Sequence, residues 1–397
     1  MAEWKIVRLG TIVLTNQDTY SPKENWQFVN YLDTGNITMN RISEIQYINT
    51  SMDKLPSRAR RKVKSNSIIY STVRPNQLHY GIIKEQPKNF LISTGFAVID
   101  VNIEKALPDY IYYVLTQKEI TEHLQAIAEQ SVSAYPSLKP SDIENLGVLL
   151  PDIDTQKTIV AILSVIDEKI RQNTEINNNL EAQAHAYFIN LFIVNADSAW
   201  KQGTLSDLGN ILGGGTPSKK HPEYYSEHGI PWITPKDLSV DKCKFISHGE
   251  NDISELGFSN SSATKMPEGT VLFSSRAPIG YIAIASNTVT TNQGFKSVVP
   301  NNNVGSAFMY FFLKQALPTI EGMASGSTFK EIPGSGMKSV PAIIPDDETL
   351  RMFSEFCKPL FEQQATMEAE NRRLSGIRDA LLPKLMSGEL DVSDIDL

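Results

Sequence analysis

Several residue groupings in the chain have the types needed for catalysis, and each fails on spacing or context. Gly334-Ser-Gly-Met-Lys-Ser339 resembles the end of a phosphate-binding loop. Met337 separates glycine from lysine, however, and no matching glycine stands at the required distance, so the segment reads as a turn before the apolar run that follows. Gly213-Gly-Gly-Thr-Pro-Ser-Lys-Lys220 has backbone amides suited to an anion. It lacks the Gly-Lys-Ser/Thr order and a helix behind it, and reads as a flexible loop near a phosphate backbone. Pro151-Asp152 with Asp167 and Lys169 mimics a metal-dependent nuclease, but the last two fall in a heptad-patterned stretch and read as its solvated face. The six histidines show no HxH or HxxxH spacing, and His185 reads as a surface residue on a helix. No Gly-x-Ser-x-Gly elbow is present. No Asn/Asp-Pro-Pro-Tyr/Phe motif is present either, so transfer of a methyl group to a base amine is not expected of this chain. These absences point to a binding protein with no cofactor and no metal of its own.

The residues suited to binding are basic and amide-bearing. "NSIIYSTVRPNQLHYG" (66–81) and "GTVLFSSRAPIGYIAIA" (269–285) each place an arginine, Arg74 or Arg276, after a β-rich run and beside a proline. Guanidinium is a planar fork of donors that fits phosphate or a guanine edge, and Asn and Gln pair with adenine. Each arginine could equally pair with a carboxylate of its own domain. Around the two lie Asn76, Lys219, Lys220, Lys236, Asn292, Gln293, Thr328 and Lys330. Lys54–Lys64 adds six Lys/Arg and no acid, including Arg58, Arg60, Arg61 and Lys62. These fourteen residues are the candidate DNA contacts. The net charge of −8 argues against a nucleic-acid partner, but only weakly, because the local field decides and acid gathers at the end, at Glu389, Asp391, Asp394 and Asp396.

The elements that must position these residues occur twice. Trp4-Lys5 pairs with Trp200-Lys201, 110–117 with 308–315, 131–138 with 325–332, and 149–157 with 343–351, at offsets of 194 to 198. Each half opens with about 150 residues of short β-rich runs, turn signals and intervening helix, a mixed α/β (α+β) globular domain. It closes on a long amphipathic stretch with apolar residues three and four apart. The boundaries expected are a recognition domain at 1–150, a spacer helix at 151–194, a second domain at 195–345, and a second helix with an acidic tail at 346–397. An apolar stripe must find a partner, so the helices are expected to pair antiparallel as a coiled coil, a pseudo-twofold rod with a globular head at each end. Ile166, Ile170, Leu180, Leu360, Met367 and Leu374 are the expected pairing or partner-docking residues, on a seam that also takes in Ile176 and Ile377. Asn173 and Asn371 fall near it, either as drift to the surface or as a buried pair that fixes register.

"LGGGTPSKKHPEYYSEHGIPWITPKDL", "VLFSSRAPIGYIAIA", "TNQGFKSVVP", "GSTFKEI" and "RDALLPKLMSGEL" together resemble the specificity subunits of type I restriction–modification enzymes, across essentially the whole chain. The resemblance implies two domains that each read one half of a bipartite double-stranded DNA site. It implies helices that dock methyltransferase subunits, and a larger assembly with a restriction translocase–nuclease. S-adenosylmethionine, ATP and Mg are then expected in the partner subunits. "STVRPNQLHYG" departs from "SSRAPIGYIA" by one residue before the arginine, so the two domains are expected to use Arg74 and Arg276 differently. Cys243 and Cys357 have no CxxC partner, which fits a reducing cytosol and argues against a zinc site. With no apolar run of eighteen residues and no signal-peptide region, a cytoplasmic protein without membrane contact is expected. A duplicated scaffold or carbohydrate-binding protein would explain the acidity but not the long helices. A fused methyltransferase–specificity chain fails for want of cofactor motifs.

Overall fold

The computed structural model describes residues 4–130, 136–240, 242–326, 330–392 and 395. The chain divides into two units, Met1–Glu168 with Leu374–Leu397, and Lys169–Arg373. Each unit takes a globular part together with portions of both long helices. This differs from the expected boundaries, and the reason is packing. In the first unit, Ile159 and Leu163 of one long helix and Leu382, Leu385 and Met386 of the other lie in the same core as Ile68, Tyr70, Tyr110 and Leu124. In the second unit, Ala184, Phe188, Leu350, Phe353 and Phe361 join Val271, Phe273, Phe308 and Phe311.

Each globular part is built on a central strand buried on both faces. In the first, Ser67–Ser71 lies between Phe96–Val101 and Tyr80–Ile83, antiparallel to both. Its side chains alternate: Ile68 and Tyr70 enter the core shared with the helices, while Ile69 enters a second core with Leu32, Phe90 and Val98. Val271–Ser275 does the same in the second unit, sending Val271 and Phe273 to one core and Leu272 to another with Ile233, Ala283 and Phe295. A strand with two apolar faces is the reason these segments read as continuous β-rich runs.

A two-stranded ribbon leads into each long helix: Lys5–Arg8 pairs antiparallel with Gly147–Leu150, and Lys201–Thr204 with Pro341–Ile344. The helices are Ile153–Ile189 and Asp347–Ser387, of 37 and 41 residues. An aspartate caps each start. Asp152 accepts from the Thr155 amide at 2.8 Å, and Asp346 accepts from the Thr349 amide at 2.9 Å and from the Trp200 indole at 2.8 Å.

The helices run antiparallel wherever they meet. In the second unit Asn173 donates to Asn371 at 2.9 Å, and Gln364 to the Asn177 carbonyl at 2.9 Å; in the first, Arg378 meets Asp167 at 3.0 Å. Asn173 is fully buried and also donates to Glu370 at 2.8 Å, while Asn371 is half-buried, so the two asparagines pair across the helices at the edge of the seam. Ile170 and Leu180 are buried, and Ile166, Leu360, Met367 and Leu374 half-buried. Ile176 and Ile377, expected on the seam, are exposed; within the second unit the inward positions of the second helix are Leu350, Phe353, Cys357, Phe361, Gln364 and Glu368. The stripe thus turns polar in the middle, where heptad counting alone assigns apolar residues. Asp167 is no solvated residue: it accepts from the Tyr113 hydroxyl at 2.8 Å as well as from Arg378.

The polar stretch of the second unit is organised by Lys244. Its amine is buried, donates to Gln364 at 2.7 Å, pairs with Glu181 and lies 4.1 Å from the centre of the Phe361 ring. Glu368 accepts from the Lys244 and Phe245 amides, both at 2.9 Å. Burial pushes the Lys244 ammonium down and the Glu368 carboxyl up. Burial also works against ionised Glu181, but Lys244 and Lys314 outweigh it and hold that carboxyl below its usual range.

Two outcomes are expected. Lys244→Ala leaves buried Glu368 without that cation and Glu181 with Lys314 alone, and should destabilise the protein by about 3 kcal/mol in urea denaturation; a loss below about 1 kcal/mol would contradict this reading. Asp346→Ala should cost about 1 kcal/mol, the worth of an N-cap. Its partners, Thr349 first, hold the Asp346 carboxyl at about 2 against 3.8 in an open chain. The stabilisation is therefore complete above the open-chain value and fades as pH falls toward about 2, and the deficit of the variant should shrink over the same interval.

Candidate nucleic-acid interface

In the first globular part the basic run forms the edge strand Ala59–Arg61 and its flanks. Arg58 and Arg60 are exposed, whereas Arg61 is half-buried and burial pushes its guanidinium down. Lys62 is already matched, 2.7 Å from Glu24 and 3.8 Å from Asp18, so a run free of acid in sequence is not free of acid in space. Arg74 is exposed at a left-handed φ of +49°, where it opens the turn Pro75–Gln77, and the exposed Asn76 donates its amide to Gln125 at 3.2 Å.

In the second part Lys219, Lys220 and Lys330 are exposed, and Thr328 lies outside the described residues. Lys236 pairs with Glu250 at 2.6 Å. The glycine run is a close backbone crossing rather than a loose anion loop. A Cβ at Gly214 would stand 2.1 Å from the Asn292 carbonyl, and the Gly215 amide already donates to Thr291 at 2.8 Å. Asn292 shapes its own turn, accepting from the Gly294 amide at 2.8 Å.

The structure gathers one polar cluster on this part. Glu331 lies 3.4 Å from Arg276 through one carboxylate oxygen and 3.5 Å from Lys296 through the other. Lys296 also reaches the Gln293 carbonyl at 3.5 Å, and the Gln293 side chain accepts from Thr216. Arg276 and Gln293 were legible as candidates; Lys296, Glu331 and Thr216 were not. Lys296 lies three residues beyond Gln293 in "TNQGFK", but Glu331 has no local signal and is reached only through the fold.

The two arginines are not equivalents. The Thr72 amide donates to Gly95 at 2.8 Å as the Ser275 amide does to Gly294 at 2.7 Å, and Leu138 donates to Thr72 as Ile332 does to Ser275. Val73 bridges Ser137, and Arg276 bridges Glu331. This pattern aligns Val73 with Arg276, and Arg74 with Ala277, both of the latter left-handed and followed by proline. The extra residue before Arg74 thus moves its side chain one place along the strand, from beside the 137/331 position to the turn. Among the described residues no group of His, Cys, Asp and Glu could hold a metal ion, and no helix is long and apolar enough to cross a membrane.

The type I restriction modification DNA specificity domain model matches twice, at residues 1–182 and 197–374. The chain is 27% identical to the specificity subunit of the type I restriction enzyme HindI of Haemophilus influenzae, over 98% of this chain and 100% of that one. It is 42% identical to the MjaIX specificity subunit of Methanocaldococcus jannaschii over 38% of this chain and 35% of that one. Its fold is similar to the crystal structure of a type I restriction–modification S subunit from M. genitalium, with a TM-score of 0.58 at 17% identity, covering 97% and 96% of the two chains. Two specificity domains in tandem, each on its own ribbon and helix start, place this chain in the type I restriction–modification DNA specificity family.

Proposed function

We propose that the chain is the non-catalytic recognition subunit of a type I restriction–modification complex, each globular part reading one half of a bipartite, asymmetric double-stranded DNA target. The observation that carries this reading is the double family match laid over two different surfaces. One presents Arg74 on a turn, the other Arg276 beside Glu331 and Lys296. Unlike surfaces on like scaffolds suit an asymmetric site. Two weak readers on one chain gain affinity through effective concentration.

In this reading the long helices set the distance between half-sites and dock methyltransferase subunits. Val165, Ile176, Met352, Phe356 and Ile377 are apolar, helical and exposed, which supports a helical partner on their outer faces. Restriction subunits complete the assembly, and S-adenosylmethionine, ATP and Mg belong to the partners, in a cytoplasmic complex.

Selecting bound sites from random DNA with the assembled complex tests the proposal. Two short, dissimilar half-sites separated by unread base pairs are expected, and the purified chain with S-adenosylmethionine should transfer no methyl group until the methyltransferase subunit is added. A single continuous site, or turnover by the chain alone, would overturn it. The ruler role has its own test. Four residues inserted after Asn178, and four near Met367, add about 6 Å of rise and a net turn of about 40°. One DNA base pair turns by roughly 35°, so the unread gap should lengthen by one base pair while both half-sites persist. Retained binding with an unchanged gap would show that the helices do not set the distance.

A further inference from the structure

We propose that Glu331 is a specificity-determining residue: a built-in anion that competes with DNA for Arg276 and Lys296 and so suppresses contact with non-target phosphate. The proposal rests on the DNA-reading role argued above. One carboxylate stands between two cations, each held by a different oxygen, at 3.4 and 3.5 Å. These separations exceed the 2.6–2.8 Å of close pairs such as Lys236–Glu250 and Lys314–Glu181. Arg276 and Glu331 are about one-third exposed, a setting in which an ion pair adds little stability. The backbone beneath is firm, since Glu331 exchanges both backbone hydrogen bonds with Ser325, at 2.9 and 3.1 Å. The local fold does not need the charges, because the first globular part builds the same bridge from Val73 and Ser137. A firm backbone carrying a loosely held carboxylate between two cations suits exchange of one anion for another. The cluster keeps one net positive charge, so a phosphate is attracted but must displace Glu331 to engage both cations.

The test uses the full-length chain and a pool of random-sequence duplex, with binding measured across a salt series. Glu331→Gln keeps the size and removes the charge. Its affinity for the pool should rise about ten-fold at low salt, and its log–log salt slope should steepen by about 1 to 2, at roughly 0.9 per phosphate newly engaged. Adding Arg276→Gln should remove part of that gain. In site selection with the complex, the half-site of the second globular part should become less stringent while the other stays unchanged. A slope and affinity equal to wild type would overturn the proposal. Wild-type binding with no salt dependence would instead overturn the DNA-reading role itself. Glu331→Ser, which installs the residue found at 137, covers the case in which Glu331→Gln fails to fold; if thermal unfolding shows both variants unfolded, Glu331 is a structural residue and the proposal is wrong.

Discussion

A lysine amine taken out of water must be given carboxylates and hydrogen-bond acceptors, or the segment carrying it cannot stay where it is. Lys244 meets that requirement only when three parts of the chain are correctly placed. Glu181 comes from one long helix, Gln364 and Glu368 from the other, and the lysine from the globular part between them. The aromatic floor of Tyr310 and Phe361 confines the amine further. Apolar packing brings these surfaces together, but it is tolerant of small slides. A buried charge with directional partners is not, and so it selects one seating of the globular part on the helices.

The first unit meets the same need with other chemistry. Asp167 accepts from Tyr113 and from Arg378, and Arg378 also donates to Asp379. Burial works against the Arg378 charge, yet the carboxylates of Asp167 and Asp379 more than offset it and raise its affinity for the proton. Here both charges come from the helices and the globular part supplies only the Tyr113 hydroxyl, whereas in the second unit the globular part supplies the ammonium. The second globular part seated on the wrong helix surface would bury Lys244 without its counterion, and the first would lose the bond from Tyr113 to Asp167. Each is therefore keyed to its own place by polar contacts, charged in one unit and neutral in the other, layered on a duplicated apolar core.

Much of this was legible in the amino-acid sequence. The repeat offsets located both halves, and apolar spacing located both long helices, because duplication and amphipathicity are one-dimensional properties. Aspartate after proline marked the helix starts for the same reason. What escaped was set by contacts distant in sequence. Ile176 fits a heptad by count yet is exposed, since the inward face at that level is taken by Asn173, Gln364 and Glu368, which no apolar pattern reveals; Ile377 is exposed beside Arg378, which turns in to Asp167. Lys244 gave no sign of burial. Lys236 and Lys62 looked like open cations because Glu250 and Glu24 are remote from them in sequence. The alignment of Arg74 with Arg276 followed residue type, and the backbone hydrogen bonds realign them by one position.

The pairing of Arg276 with Glu331 joins residues 55 positions apart, and Lys244 meets partners more than 60 positions before it and more than 115 after it. Duplicated halves invite genetic exchange of one recognition module for another. A crossover falling between residues 276 and 331 would deliver an arginine without its carboxylate, or the carboxylate without its arginine. One falling between residues 244 and 364 would part Lys244 from Gln364 and Glu368 while leaving it with Glu181. Junctions at the ribbons and helix starts keep Arg276 with Glu331 but part Lys244 from Glu181, Gln364 and Glu368, so an incoming module must bring its own cation to that place, and the helices limit which modules they can carry.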